Sequence, residues 1–423
     1  MTRADLVVTD IGELATLAPG SVPRVGPAMG ELGRIPRAAV AIDRGRFVYV
    51  GPEARLRRAV QLRSGGATWS AGGGTVVPGF VDPHTHLLFA GDRAAEIALK
   101  IGGASYLDIA RQGGGLFQTV RATRRASTPL LLRSAEARLR RMAAMGTTAC
   151  EVKSGYALTP AGELRLLSLV PTLARRTGLR LVPTFLGAHA VPPEYARRAD
   201  AYVSALVTEV LPAVARRKLA DFCDAFCEPG FFSVEQTERL LLAARALGLG
   251  LKVHADEFVR SGGAELAARL GCRSAEHLLE SSSEDRRALA SAGVTAVLLP
   301  LTPFASFAKR SSPGREMVDA GVPVAVGTDL SPNSWVESMP LVLAHSVYSA
   351  HLTPAEALSA ATVNSAHAIG LSGEAGTIAV GRSADFVAFG VPSIEHIPYR
   401  FGLTPERVYR RGIRVPPARD HGS

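Results

Sequence analysis

From residue 75 to about residue 330 the chain alternates short apolar runs with longer Ala-, Leu- and Arg-rich stretches. The apolar runs are TVVPGFVDPH, TTACEVKSGY, RLVPTFLGAH, LADFCDAFCE, GLKVHADEF, CRSAEHL, GVTAVLLP and PVAVGTDL. Each has the length and flanking punctuation of a buried strand. The stretches between them, such as LLLRSAEARLRRMAAMG and VEQTERLLLAARALGLG, repeat apolar residues three and four apart, as a helix with one buried face does. Eight strands in βα alternation over about 250 residues predict a parallel sheet, and the count and length suit a (β/α)8 barrel. A doubly wound open sheet is the alternative. No G-x-G-x-x-G follows the first strand, so dinucleotide binding has no support.

Both ends of the chain read differently. DLVVTD, AAVAIDRGRFVYVGP and SAGGGTVVPG near the start, and GTIAVGRSADFVAFG and RVYRRGIRVPP near the end, are β text, with DRG as a hairpin turn. The expected organisation is a barrel over 77–370 and a small β-sandwich-like domain assembled from 1–76 and 371–423. The loop-rich GGASYLDIARQGGGLFQTV, between the first two barrel strands, is the kind of insertion that shapes a pocket.

Composition narrows the function. The chain has 423 residues, no apolar run long enough to span a membrane, and no signal-peptide core in MTRADLVVTDIGELATL, so a cytoplasmic location without membrane attachment is expected. Cys150, Cys223, Cys227 and Cys272 are too few for a disulfide framework and read as buried thiols. The net charge of +10 comes from arginines spread along helical text, not from one basic face interleaved with aromatics, which argues against nucleic-acid binding. A diffuse positive field would favour small anionic substrates.

Six of the eight strands end in groups that bind metal, move protons or hold polar ligands: His84 and His86; Lys153 and Tyr156; His189; His254, Asp256 and Glu257; Glu276 and His277; Asp329. A barrel gathers its strand ends at one rim, although these residues span about 245 positions. His84 and His86 share strand parity, so their rings point to one side. With His254 and Asp329 they make a set suited to zinc, iron or nickel, with a place left for water. His345, His351, His367, His396 and His421 lie away from strand ends and read as structural or solvated.

PGFVDPHTH, KVHADE, AEHL and VGTDLSP, with β text at both termini, resemble the amidohydrolase superfamily. Within it, GFVDPHTHLLFAGDR, EVKSGY, FLGAHAVPPEY, HADEF and EHLLE resemble the imidazolonepropionase family, from DIGELAT at 10–16 to IPYRFG at 397–402. The resemblance implies hydrolysis of the cyclic amide 4-imidazolone-5-propanoate to N-formimino-L-glutamate in histidine degradation. It implies one divalent ion, zinc or iron, held by His84, His86, His254 and Asp329. Binuclear relatives carry a lysine at the end of strand four, where this chain has DAFCEPG, which favours a single ion. Lys153, after strand two, is expected to play a structural or supporting role. A homodimer is the family-based expectation.

By the same resemblance Arg93, Tyr106, Tyr156, His189 and Glu257 contact substrate. A guanidinium suits a carboxylate and a tyrosine hydroxyl adds a donor. Each residue also has a structural alternative: a salt bridge near Asp92 for Arg93, loop packing for Tyr106, packing at the barrel mouth for Tyr156, and a plain AHAVPP turn for His189. The loop after the metal aspartate, usually Asp-x-Asn-Pro-Gly, reads DLSPNS here, so Ser331, Asn333 and Ser334 are the expected product contacts. That departure falls on product binding and not on the metal set. Asp329, His277 and Glu257 are the candidates for moving protons, with base and acid left open between His277 and Glu257. Three other readings remain at this point. The nearest is another mononuclear amidohydrolase, such as an aminohydrolase acting on a small carboxylate-bearing heterocycle. The others are a metal or nucleic-acid binder without activity and a catalytically altered paralogue.

Overall fold

The computed structural model describes residues 1–18, 22–104, 108–109 and 113–417. Strands β1 (Thr2–Ala15), β2 (Arg34–Asp43), β3 (Arg46–Pro52), β4 (Val60–Ser70) and β5 (Thr75–Pro78) open the chain. The barrel strands follow: β6 (Phe80–Asp82), β7 (Thr147–Lys153), β8 (Arg180–Ala188), β9 (Phe222–Cys227), β10 (Gly250–Ala255), β11 (Ser274–His277), β12 (Thr295–Leu298) and β13 (Val324–Val326). Then come β14 (Phe386–Phe389), β15 (Arg407–Arg410) and β16 (Ile413–Arg414).

β6 to β13 pair in sequence order, all parallel, as the βα alternation predicts. The last strand meets the first through side chains and loop backbone. Thr328 Oγ1 donates to Asp82 Oδ2 at 2.6 Å, Thr328 N to Asp82 Oδ1 at 3.1 Å, and His86 N to Leu330 O at 2.9 Å. The helices between strands carry the caps their text foretells. Ser233 and Gln236 form a capping box on Val234–Ala246, and Ser127 caps Thr128–Ala144. The buried face of Val234–Ala246 joins the largest apolar core, and that of Thr128–Ala144 joins a second core with Cys150 and Val152.

The terminal strands form one mixed sheet in the order β16-β15-β14-β5-β1-β2-β3. It acquires a second branch because β1 pairs in parallel with β4 along its first half and with β5 near its end. Arg44 and Gly45, at φ 48° and 77°, make the β2–β3 turn of the type whose twist matches a hairpin. TVVPGFVDPH, one strand by pattern, divides at Gly79: β5 belongs to the terminal sheet and β6 to the barrel. A Cβ at Gly79 would stand 2.4 Å from Thr148 Oγ1, so only glycine passes this junction. Asn364 joins the N-terminal segment to the barrel: Nδ2 donates to Arg24 O and Val324 O, and Oδ1 accepts from Arg24 N.

All four cysteines are buried and free. Among the described residues no helix is long and apolar enough to cross a membrane. His345, His351, His367 and His396 are half-buried or exposed; His421 lies outside the described residues.

Candidate active site

The C-terminal strand ends converge on one pocket. His86, His254 and Asp329 line its floor, Arg93, Tyr156, His189, Glu257 and His277 its walls, and Ser331 and Asn333 the loop after β13. Tyr106 lies outside the described residues. Ser334 is buried and does not line the pocket; its backbone N donates to Ser331 Oγ at 3.2 Å and closes the turn.

His84 Nε2 lies 3.1 Å from His86 Nε2, and His254 Nε2 lies 3.4 Å from the same atom. Asp329 Oδ1 stands 3.4 Å from both His84 Nε2 and His86 Nε2. Ligands about 2.1 Å from a tetrahedral ion stand about 3.4 Å from one another. The other ring nitrogens fix the tautomers. His84 Nδ1 lies 2.5 Å from Glu276 Oε2, an ion contact more than an aligned hydrogen bond, and His254 Nδ1 lies 2.9 Å from Asp224 Oδ2. Carboxylates there favour the Nδ1 proton and leave the Nε2 lone pairs facing inward. Three inward nitrogens and a carboxylate oxygen cannot all be satisfied by shared protons. Burial opposes a charge on His84, yet Glu276, with Asp329, holds its pKa up at about 9. The cluster therefore attracts positive charge, and its donor set fits a divalent metal ion.

Beneath the rings lies a fully buried ion network. Lys153 Nζ reaches Asp224 at 2.7 Å, Glu276 at 2.8 Å and Glu151 at 2.9 Å. Lys252 Nζ reaches Glu151 at 3.0 Å and Glu276 at 3.2 Å. Burial raises the pKa of Glu276 and Asp224 less than the cations lower it, so both stay ionised against the imidazoles. Sequence reasoning assigned no role to Asp224, Glu151 or Lys252, and placed Glu276 only among the polar strand-end groups. The readable signal was a charged residue inside an otherwise apolar barrel strand.

On the walls, burial lowers His189 to about 3, so the ring is neutral. Its Nδ1 lies 3.1 Å from Gly155 O and must carry the proton, which leaves Nε2 as an acceptor. The ring stacks on His86 at 4.9 Å and packs against Tyr156 at 5.2 Å. His277 Nε2 lies 3.7 Å from Glu257 Oε2. Burial pushes His277 well below its usual value and Glu257 well above, Asp329 adding to the second shift. Both are therefore neutral in a pocket without added charge. Arg93 is buried; its Nε donates to Glu96 Oε2 at 2.8 Å, and its Nη2 forms an ion contact with the same oxygen at 2.7 Å. Asp256 turns away from the pocket and accepts from Ser261 N and Oγ, bracing the loop behind Glu257.

Backbone strain gathers at the same rim. Asp256, His277, Leu278 and Asp329 have φ of 51°, 70°, 59° and 49°, a region that non-glycine residues rarely occupy.

The amidohydrolase family model matches residues 75–413. The imidazolonepropionase of Symbiobacterium thermophilum is 48% identical over 415 residues, covering 97% of each chain. That of Alkaliphilus metalliredigens is 41% identical and covers 97% of this chain and 98% of its own. Among solved structures, a zinc-bound adenosine deaminase from Xanthomonas campestris superposes with TM-score 0.70 at 19% identity, covering 98% of this chain and 93% of its own, a likeness of fold. With a metal-competent histidine cluster at the rim of a parallel barrel and near full-length relatives at these identities, the chain belongs to the amidohydrolase family, in its imidazolonepropionase group.

Proposed function

We propose that this chain hydrolyses the ring amide of 4-imidazolone-5-propanoate to N-formimino-L-glutamate, a step in histidine degradation. The observation that carries the reading is the coincidence, in one pocket, of the His84, His86, His254 and Asp329 cluster with the Arg93 guanidinium and the His277–Glu257 pair. A single divalent ion, zinc or iron, held by those four residues would supply the Lewis acidity that brings the pKa of water towards neutrality.

The chain's own groups do the rest. Arg93, with Tyr156, holds the propionate; Ser331 and Asn333 line the far end, where product remains. His189, with its acceptor nitrogen facing the pocket, takes a ring N–H and fixes the plane of the heterocycle. Neutral His277 accepts or donates at Nε2 beside the attacked carbonyl. Glu257, kept protonated by burial, gives its proton to the ring nitrogen as the C–N bond breaks, and His277 stands 3.7 Å away to restore it. A cytoplasmic location and a homodimer belong to the same reading.

The test is incubation of purified protein with freshly made imidazolonepropionate, following loss of its ultraviolet absorbance with and without a chelator. Formiminoglutamate formed only by the metal-loaded protein supports the reading. Release of ammonia in its place would move the assignment to an aminohydrolase.

A further inference from the structure

The substrate carboxylate needs more positive charge than Arg93 brings. Glu96, itself buried, already holds Arg93 through two contacts, and its other oxygen accepts from Gly115 N at 2.7 Å. Arg93 and Glu96 together are neutral. An incoming carboxylate would place two anions on one guanidinium in a buried setting, which is costly without a further cation.

That cation is present one helical turn after Glu96. Lys100 is half-buried on the helix Glu96–Ile101. Its Nζ donates to Asn333 Oδ1 at 2.9 Å and to Ala305 O at 3.2 Å, both neutral oxygens. Among the described residues, no carboxylate lies within ion-pair distance of it. Burial first, and then the charge of Arg93, lower its pKa, while Glu96 opposes the shift. Asn333, in turn, lines the pocket and donates from Nδ2 to Ser306 Oγ at 3.3 Å. Lys100 thus ties the loop after β6 to the loops after β12 and β13, one hydrogen bond behind the pocket wall.

We propose that Lys100 is a specificity-determining positioning residue: it supplies the net positive charge that lets the Arg93–Glu96 pair accept a substrate carboxylate, and it sets the orientation of Asn333 on the pocket wall. The chemical consequence is selection for heterocycles bearing a carboxylate over neutral ones of the same shape. This rests on the substrate class proposed above, but its charge argument can be read without turnover.

The experiment uses the metal-loaded full chain and three variants. Lys100→Gln keeps a hydrogen-bond donor and removes the charge; Lys100→Met removes both; Lys100→Arg keeps the charge. Kinetics with imidazolonepropionate are paired with calorimetric binding of two unreactive probes, imidazolepropionate and its uncharged amide. Lys100→Gln should raise KM, and weaken binding of the acid probe, by about tenfold or more, and change kcat and amide binding by less than about threefold. Lys100→Arg should restore most of the acid binding, which a purely structural clasp would not. Equal losses for acid and amide, or none for either, would overturn the proposal. If wild-type protein fails to turn over imidazolonepropionate, the substrate assignment above falls, while the acid-versus-amide comparison still decides the role of Lys100. A variant that fails to fold is replaced in the comparison by the other charge-removing substitution.

Discussion

Replacing Lys153 by Met should destabilise the protein heavily although the residue touches neither pocket nor solvent. Its Nζ lies within 2.9 Å of Glu151, Asp224 and Glu276, and all four side chains are fully buried. Burial disfavours the ammonium, but the three carboxylates hold its pKa well above the usual value, so it is charged wherever the protein is folded. The network contains three carboxylates and two lysines, and the variant leaves Lys252 as the only ammonium, with His84 against Glu276 and His254 against Asp224. Removing one partner of a buried pair costs about 3–5 kcal/mol, because the remaining charge has no solvent to return to. An unfolding entropy of about 2.1 cal/mol/K per residue makes each kcal/mol worth about 1 °C in a chain of this length, so the melting temperature should fall by roughly 3–6 °C. Thermal melts followed by circular dichroism on metal-stripped protein exclude any contribution from ion binding. The double variant Lys153→Met with Glu151→Gln removes one anion as well and should recover part of the loss. A fall of less than about 2 °C, or a double variant whose loss is the sum of the two singles, would refute the charge argument and leave only a packing defect.

Three further outcomes follow from the geometry. His277→Asn and Glu257→Gln should each lower kcat by about a hundredfold or more with metal content unchanged, because each removes a proton-carrying atom beside the reacting bond; near-wild-type rates in both would reject the assignment. Glu228, which accepts from the backbone N–H groups of Glu257, Phe258 and Val259, is raised by burial from its ordinary 4.5 to about 7. A pKa higher in the folded state means that its contribution is full below 4.5 and lost as pH rises to about 7, a change on the order of 1–2 kcal/mol. Urea melts at pH 5 and pH 8 should therefore show wild type losing more stability on that rise than Glu228→Gln, and parallel behaviour would dismiss it. Chelation should abolish turnover and lower the melting temperature, and zinc or ferrous iron added back should restore both; full activity in protein free of transition metal contradicts the metal centre.

The barrel was legible because parallel strands covered by helices read as continuous apolar runs, and the text between them keeps helical spacing. His84, His86, His254 and Asp329 were legible because a polar residue at the end of such a run has few structural reasons to be there. The boundary at Gly79 was not, since β5 and β6 form one uninterrupted apolar run and only contact with Thr148 separates them. Nor was the ion network. Glu151, Asp224 and Glu276 come from the second, fourth and sixth barrel strands, and nothing local in any one strand says that its charge meets the others. Layers built from alternate strands are a property of closure and appear only once the sheet is rolled up.

This division between strands and loops also separates the two tasks of the site. His254, His277 and the carboxylates behind the metal-competent atoms stand within strands, His84, His86 and Asp329 follow β6 and β13 around the Thr85–Leu330 bridge, and left-handed Asp256, His277 and Asp329 gather at these strand ends. Arg93, Lys100, Ser331 and Asn333 come from segments beyond the strands, and of these Lys100 and Asn333 are joined by a side-chain hydrogen bond. A substitution in the DLSPNS loop can therefore alter which ring-bearing acids enter and leave without moving the atoms that activate water. Loop exchange between members of this family should transfer substrate preference and leave metal affinity behind, whereas changes at Asp224 or Glu276 should do the opposite.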